Sequence, residues 1–292
     1  MSVDVSVVIV TYNSEDVIPA CLSSLREHTR RVSYDVTVVD NASSDGTLDA
    51  IRGQFPWVQL IHRPTNGGLS RGVNDGIAAS CGRHILALNP DTRFDHDAIA
   101  VLSRYLDANP DAGVVAPKLL DDDGALQLSC RRFPGYSSAL FSRYSVLTKL
   151  VPGNPFSRRY LMSDFDHAHI CDVDWVSGAA MMFPRAIVEQ LGGWDAGFFM
   201  FSEDVDFCQR VHAAGYRVVY NPEARLYHRI GVSKRANARL VIARHRSMWR
   251  YYRKHLRGGA LRDALTGAAI AARCALMLLG NGMRRLVERA SR

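Results

Sequence analysis

The segment MFSEDVDFCQR, Met200 to Arg210, sets three carboxylates, Glu203, Asp204 and Asp206, among Phe201, Val205 and Phe207. Carboxylates seldom sit in apolar surroundings without partners, because desolvating the charged form is costly. Three chemistries fit the pattern. The acids could start a helix, with Ser202 as N-cap and Asp206 in the first turn. They could bind a metal. One could serve as a general base, made a better proton acceptor by its apolar neighbours. Spacing alone leaves the helix start and the base equal.

Other candidates sit where short apolar runs end. Thr11, Tyr12 and Asn13 close VSVVIVTYN, Asp40 closes YDVTVVD, and Asn89 and Asp91 follow RHILAL in LNPD. In an open parallel sheet the carboxyl ends of strands border the ligand crevice. Asp40 suits a nucleobase or ribose edge there, although SSDGT after it equally invites a turn aspartate. Asp91 suits a divalent cation that neutralises a diphosphate, although NPD is also common turn chemistry. The stretch TNGGLSRGVNDG, Thr65 to Gly76, is a glycine-rich loop entering a helix, with Arg71 in reach of a phosphate. The sequence lacks G-x-G-x-x-G after the first strand and lacks G-x-x-x-x-G-K-[ST] anywhere, which excludes a dinucleotide fingerprint and a P-loop.

Alternating strand and helix patterns must position these groups. Strands are expected at VSVVIVTY, YDVTVVDN, WVQLIHR, RHILALNPD and AGVVAPKL, with helices between them, the first N-capped by Ser14. That alternation predicts a parallel sheet with helices on both faces. Residues 118–172 read as an insertion or flap. Strand character returns at DVDWVSGAAMMFPR. SEDVDFCQRVHAAGY is helical with Gly215 at its C-terminal end, and RVVYNP and ARLYHR are two short strands. The six cysteines show no C-x-x-C pair, so neither a disulfide framework nor a zinc site is expected, and a reducing cytosol is the expected compartment. The start has no basic n-region of a signal peptide.

Charge is uneven. Residues 225–292 hold 17 of the 36 Lys/Arg and 2 of the 29 Asp/Glu, so an acidic body of net −8 carries a tail of net +15. Within the tail, Leu261, Leu265, Ala268, Ala272, Leu276, Leu279, Met283 and Leu286 recur at steps of three or four. A basic amphipathic helix on an anionic membrane surface is expected, with a packed helix or a homodimer contact as the alternative. A spanning helix fits less well, because Arg273, Gly280 and Gly282 interrupt the run. No nucleic-acid partner is expected.

VSVVIVTYNS, VVDNASSDGT, NGGLSRGVNDG, LNPD, WVSGAAMMFPR and GGWDAGFFMFSEDVDFCQR occur in that order. Together they resemble family 2 inverting glycosyltransferases of the GT-A fold, and most of all the bacterial rhamnosyltransferase-like branch, over residues 3 to 231. RHRSMWRYYRKHL is similar to a basic aromatic segment of that branch. The resemblance implies an α/β fold with a Rossmann-like mixed sheet and helices on both faces, followed by a helical basic tail. It implies a glycosyltransferase domain over 1–235, with a nucleotide-sugar half at 1–117 and an acceptor half at 118–235, and a tail over 236–292. Thr11, Tyr12 and Asn13 would line the nucleotide pocket, Asp40 would bond the nucleobase, and Asn66, Arg71, Asn74 and Asn89 would lie near the sugar-nucleotide. Asp91 would be the last acid of a metal motif whose first acid is replaced by Asn89. His228 would be a second ligand for Mg2+ or Mn2+. Asp204 would be the base, with Glu203, Asp206 and the face of Trp194 on the acceptor. The implied reaction takes L-rhamnose from dTDP-β-L-rhamnose to a polyprenyl-diphosphate-linked saccharide in cell-wall or surface polysaccharide assembly. The enzyme would be cytoplasmic and peripheral to the inner membrane face. UDP-galactofuranose, UDP-glucose or GDP-mannose as donor, or a non-catalytic membrane-binding relative, are the alternatives.

Overall fold

The computed structural model describes residues 3–135, 154–229 and 238–290. In chain order the elements are β1 (Val5–Thr11), α1 (Ile18–His28), β2 (Tyr34–Asp40), α2 (Thr47–Gln54), β3 (Gln59–His62), α3 (Leu69–Ala78), β4 (His84–Leu88), β5 (Thr92–Arg93), α4 (Ala98–Ala108) and β6 (Ala112–Leu120). Short pieces follow: β7 (Leu126–Gln127), β8 (Cys130–Arg131), α5 (Pro155–Leu161), β9 (Cys171–Asp172) and β10 (Trp175–Val176). Then come β11 (Ala180–Pro184), α6 (Arg185–Gln190), α7 (Glu203–Ala213), β12 (Arg217–His228), α8 (Ala238–Tyr251), a π-helical turn at Tyr252–Leu256 and α9 (Ala260–Ala290).

The main sheet runs β3-β2-β1-β4-β11-β6-β12-β5. Its first four strands are parallel, as alternation predicts. β11 is antiparallel to both β4 and β6, so the sheet is mixed rather than parallel. β11 starts at the end where β4 finishes, with Ala180 beside Leu88, and runs the other way. β1 is buried at all positions, as its Val and Ile content requires for a strand covered on both faces. One apolar layer packs the sheet against Ile18, Leu22 and Leu25 of α1 and Ile99 and Leu102 of α4. The other packs it against Val73 and Ile77 of α3 and Phe207 and Val211 of α7.

Several local expectations change. Ser14 is not the N-cap of α1. Its carbonyl accepts the N–H groups of Val17 and Ile18 in a preceding turn, and Pro19 sits in the first turn of the helix. The two short strands expected near 217–229 are one strand, β12, broken in register between Asn221 and Arg225, where Pro222 supplies no N–H. Part of the expected flap, residues 136–153, lies outside the described residues. The rest of it, β7 to β9, is built onto the body: β7 pairs β6 and β9 pairs β12. β6 runs through 117 and 118, so no structural boundary falls there.

The tail splits into two unlike parts. α8 and the π turn are docked on the body, with Tyr251 and Tyr252 buried. α9 carries Leu261, Leu265, Leu276 and Leu279 at 64–74% exposure. Its stretch Ala260–Asn281 has mean hydropathy 1.4, long and apolar enough to cross a membrane, Arg273 notwithstanding.

Candidate active site

The strand order reverses around β1, between β2 and β4. Register sets Thr11 beside Asp40 and Ile9 beside Leu88, so three of the expected site segments share one edge. Asp40 is fully buried. One oxygen accepts from Thr11 Oγ1 at 3.0 Å and from Ser43 Oγ, and the other accepts from Ser43 N at 3.0 Å and faces His62 Nδ1 at 3.2 Å. Its lone pairs are spoken for, so it organises the loop rather than presenting an acceptor to a nucleobase. Asn13, at φ 52°, does similar work: its Oδ1 accepts Ser44 N at 2.8 Å. Tyr12 is the half-exposed aromatic face on this edge.

The glycine-rich loop also divides. Gly68 has φ 89°, and a Cβ there would meet Phe199 O at 2.3 Å, so only glycine fits. That approach lets Leu69 N donate to Phe199 O at 2.8 Å. Asn66 Oδ1 accepts Gly68 N at 3.0 Å. Asn74 is not at a ligand surface in this arrangement: its Nδ2 and Oδ1 pair with the carbonyl and N–H of Trp194, both at 2.8 Å. Arg71 is exposed, with no ion pair among the described residues. Trp194 is 2% exposed and stacks on Phe207 with ring centres 5.7 Å apart. The stacking surface expected of it for a sugar is used inside the core.

Residues 177–179 join the two halves of the site. Ala179 O accepts Asn89 N at 2.8 Å, which fixes the LNPD loop. Next to it, Gly178 N donates to Asp204 Oδ2 at 3.0 Å. A Cβ on Gly178 would stand 3.3 Å from the Cβ of Asp204, tighter than usual, so glycine permits this approach. Asp204 Oδ1 accepts Val205 N at 2.9 Å. Burial raises the Asp204 pKa above the ordinary range, only partly offset by these N–H groups and by nearby Arg131. Burial pushes Glu203 well up, and the charge of Asp204 adds to it. Glu203 Oε2 is buried without a hydrogen-bond partner. Ser202 stands at the N-cap position with φ 66°, but its hydroxyl makes no capping bond. The acids do lie in the first turn of α7, but the serine cap expected with them is not made.

Asp91 Oδ1 is buried without a hydrogen bond and lies 3.3 Å from His228 Nε2. Register explains the meeting, because β12 sets His228 opposite Thr92. His228 Nδ1 faces Gln127 Oε1 at 2.9 Å, while Gln127 Nε2 donates to the carbonyl of His228 at 2.6 Å. Gln127 Oε1 thus accepts a hydrogen bond from Nδ1, and Nε2 is turned towards the carboxylate. Two lone-pair donors facing each other suit a shared cation. Among the described residues no group of three His, Cys, Asp or Glu is placed to hold a metal alone.

Asp206 differs from the expectation. It is fully buried and bonded to Arg210 Nε at 2.9 Å, Lys254 Nζ at 2.7 Å and His255 Nε2 at 2.7 Å, so it ties the tail to the body. Sequence reasoning missed Gly178, Gln127 and Arg131. WVSG and SCRR carry no periodicity that marks them, and only the sheet pairing brings them to the acids.

Comparison with known proteins agrees with this architecture. Residues 145–288 match Glycosyl transferase family 21. N-acetylglucosaminyl-diphospho-decaprenol L-rhamnosyltransferase of Mycobacterium tuberculosis is 31% identical over 255 residues, covering 83% of this chain and 82% of the relative. Rhamnosyltransferase WbbL of Escherichia coli is 27% identical, covering 77% and 83%. The fold is similar to that of mannosyltransferase PcManGT from Pyrobaculum calidifontis, solved with GDP-Man and Mn2+, with TM-score 0.60, 20% identity and coverage of 98% and 81%. Residues 6–164, more than half of the chain, match Glycosyl transferase family 2, and with the 31% identical mycobacterial relative they show that the chain belongs to that family and is a glycosyltransferase.

Proposed function

We propose that the enzyme transfers L-rhamnose, with inversion, from dTDP-β-L-rhamnose to a saccharide carried on a polyprenyl diphosphate. The observation that carries the reading is the junction at 177–179. It bonds the LNPD loop on one side and Asp204 on the other, so a leaving group and a base can flank one anomeric carbon. The acceptor oxygen forms its bond to that carbon as the bond to the diphosphate oxygen breaks. Asp204 takes the acceptor proton, and dTDP departs with the electron pair. A carboxylate lifted by burial is a stronger base than an exposed one. Tyr12 would face the nucleobase, Arg71 a phosphate, and Thr11, Asn13 and Asp40 would hold the pocket's floor. Glu203, beside the base, would contact the acceptor.

Asp91 and His228 would hold Mg2+ or Mn2+, with diphosphate and water completing the shell. The ion would neutralise the charge that builds on the leaving group. The unpartnered Asp91 Oδ1 facing His228 Nε2 supports this. The rhamnosyl donor and the lipid-linked acceptor are supported by the relatives' activities. α9 would lie on the anionic cytoplasmic face of the membrane that carries the acceptor. Four exposed leucines in a segment of net +15 support that contact over self-association.

Calorimetric titration with dTDP, UDP and GDP, each with and without Mn2+, tests the donor. Metal-dependent preference for dTDP is expected. Preference for UDP or GDP would replace the sugar, and binding of none would overturn the reading.

A further inference from the structure

The docked part of the tail grips the segment that leads into Glu203 and Asp204. The Arg244 guanidinium lies 4.4 Å over the Phe201 ring, and Ser247 Oγ donates to Met200 O at 2.8 Å. Arg250 Nη2 reaches Asp195 Oδ1 at 2.7 Å. Lys254 Nζ bridges Asp195 Oδ2 at 2.9 Å and Asp206 Oδ1 at 2.7 Å, and His255 Nε2 meets the same Asp206 oxygen at 2.7 Å. Steps of three and four put these side chains on one helical face.

What they grip is strained. Phe201 and Ser202 are consecutive non-glycine residues at φ 71° and 66°, a conformation that L side chains rarely adopt. The residues that follow at once are Glu203 and Asp204. Such a conformation persists only where surrounding contacts over-determine it. The grip is also polar and buried at its centre, since Asp206 has no exposure and meets Arg210, Lys254 and the His255 imidazole.

We propose that α8 and the π turn form a positioning clamp for the base. Ser247 and Lys254 hold the 195–202 segment in its left-handed exit and so fix where the Asp204 carboxylate points. The inference rests on the reading of Asp204 as base. It gives the basic aromatic tail segment a role in the chemical step, apart from any membrane contact by α9.

The test uses the full chain with Ser247→Ala, Lys254→Gln and Lys254→Arg. The readouts are kcat, donor KM and the amide resonance of Gly178, whose N–H bonds Asp204. In Lys254→Gln, kcat is expected to fall about ten- to a hundredfold with donor KM unchanged, as for a misaimed catalytic group. The Gly178 resonance shifts with it, and Lys254→Arg restores both. Ser247→Ala removes one hydroxyl and keeps every ion pair, so it tests the clamp should Lys254→Gln fold poorly; a smaller loss of kcat with the same Gly178 shift is expected. Kinetics within twofold of wild type in both variants would overturn the proposal. So would a loss of kcat with the Gly178 resonance unmoved, or one that Lys254→Arg fails to restore. Asp204→Asn is measured beside them. If that variant is active, the base assignment fails, while Gly178 still reports whether the clamp moves residue 204.

Discussion

Glu203 and Asp206 lie three residues apart in the first turn of α7, both buried, and the fold holds them in opposite states. Burial raises Glu203 well above the ordinary carboxylate range, Asp204 raises it further, and its Oε2 has no partner. Burial pushes Asp206 up as well, but hydrogen bonds from His255 and Lys254 and the charge of Arg210 bring it below that range. The difference separates an acid tied into the fold from the two that the proposed reaction would use. Asp206 is an ionised tie between helix and tail. Glu203 keeps an oxygen without a partner, and Asp204 is held by two backbone N–H groups and, among the described residues, no cation within ion-pair distance, at the point where the LNPD loop and α7 meet; titratable groups perturbed in this way concentrate at catalytic sites.

The comparison breaks most visibly at Asp204. Asp204→Asn is expected to lower kcat by about 10²–10⁴-fold, the usual worth of a positioned general base. Nucleotide affinity by calorimetry stays unchanged, because the proposed base acts on the acceptor and not on the nucleotide. Full activity would remove the functional half of the contrast. Asp206→Asn tests the structural half. It leaves Lys254, His255 and Arg210 around a neutral amide, so a loss of about 3–5 kcal/mol in stability is expected, read from urea midpoints. An unchanged midpoint would mean that the tail is not tied down through Asp206. A third test concerns the other polar centre. Gln127→Met frees the His228 ring to rotate, and Mn2+ affinity in the presence of nucleotide is expected to fall about 10–100-fold, as for other lost second partners of a ligand histidine. Unaltered Mn2+ affinity would detach His228 from the metal.

The same contrast shows what the sequence makes legible. β1, β2 and β4 could be read because runs such as VSVVIV and HILAL are buried on both faces, and burial pattern is a local signal. The carboxyl ends of those strands followed, and with them Asp40 and Asp91. The partners of each acid could not be read. Asp40 is saturated by Ser43 and Thr11, and Asp206 by residues 254 and 255, far along the chain. A carboxylate's role depends on which donors the tertiary fold brings to it, and periodicity says nothing about that. Trp194 and Asn74 were misplaced for the same reason. Their types suit a sugar site, yet they pair with each other's segment across 120 residues to close the core. β11 runs against β4 and β6, which no local pattern in AMMFP encodes.

The mildest test sharpens the comparison through stability rather than through the reaction. Glu203→Gln keeps the shape of the side chain and removes its ionisation. The folded-state pKa of Glu203 lies above the unfolded value of about 4.5, so between the two the folded protein holds a proton that the unfolded chain has released. Its contribution to stability is therefore fully present below the unfolded pKa and is lost as pH rises towards the folded one, by up to about 1.4 kcal/mol per pH unit. Glutamine has no such dependence. The stability of the variant relative to wild type is expected to rise between pH 5 and 8 and to flatten below pH 4, compared by urea midpoints at each pH. A relative stability that instead falls with pH would mean an ionised, partnered Glu203. The two acids of the first turn would then be alike, and the case for a reactive carboxylate beside Gly178 would rest on Asp204 alone.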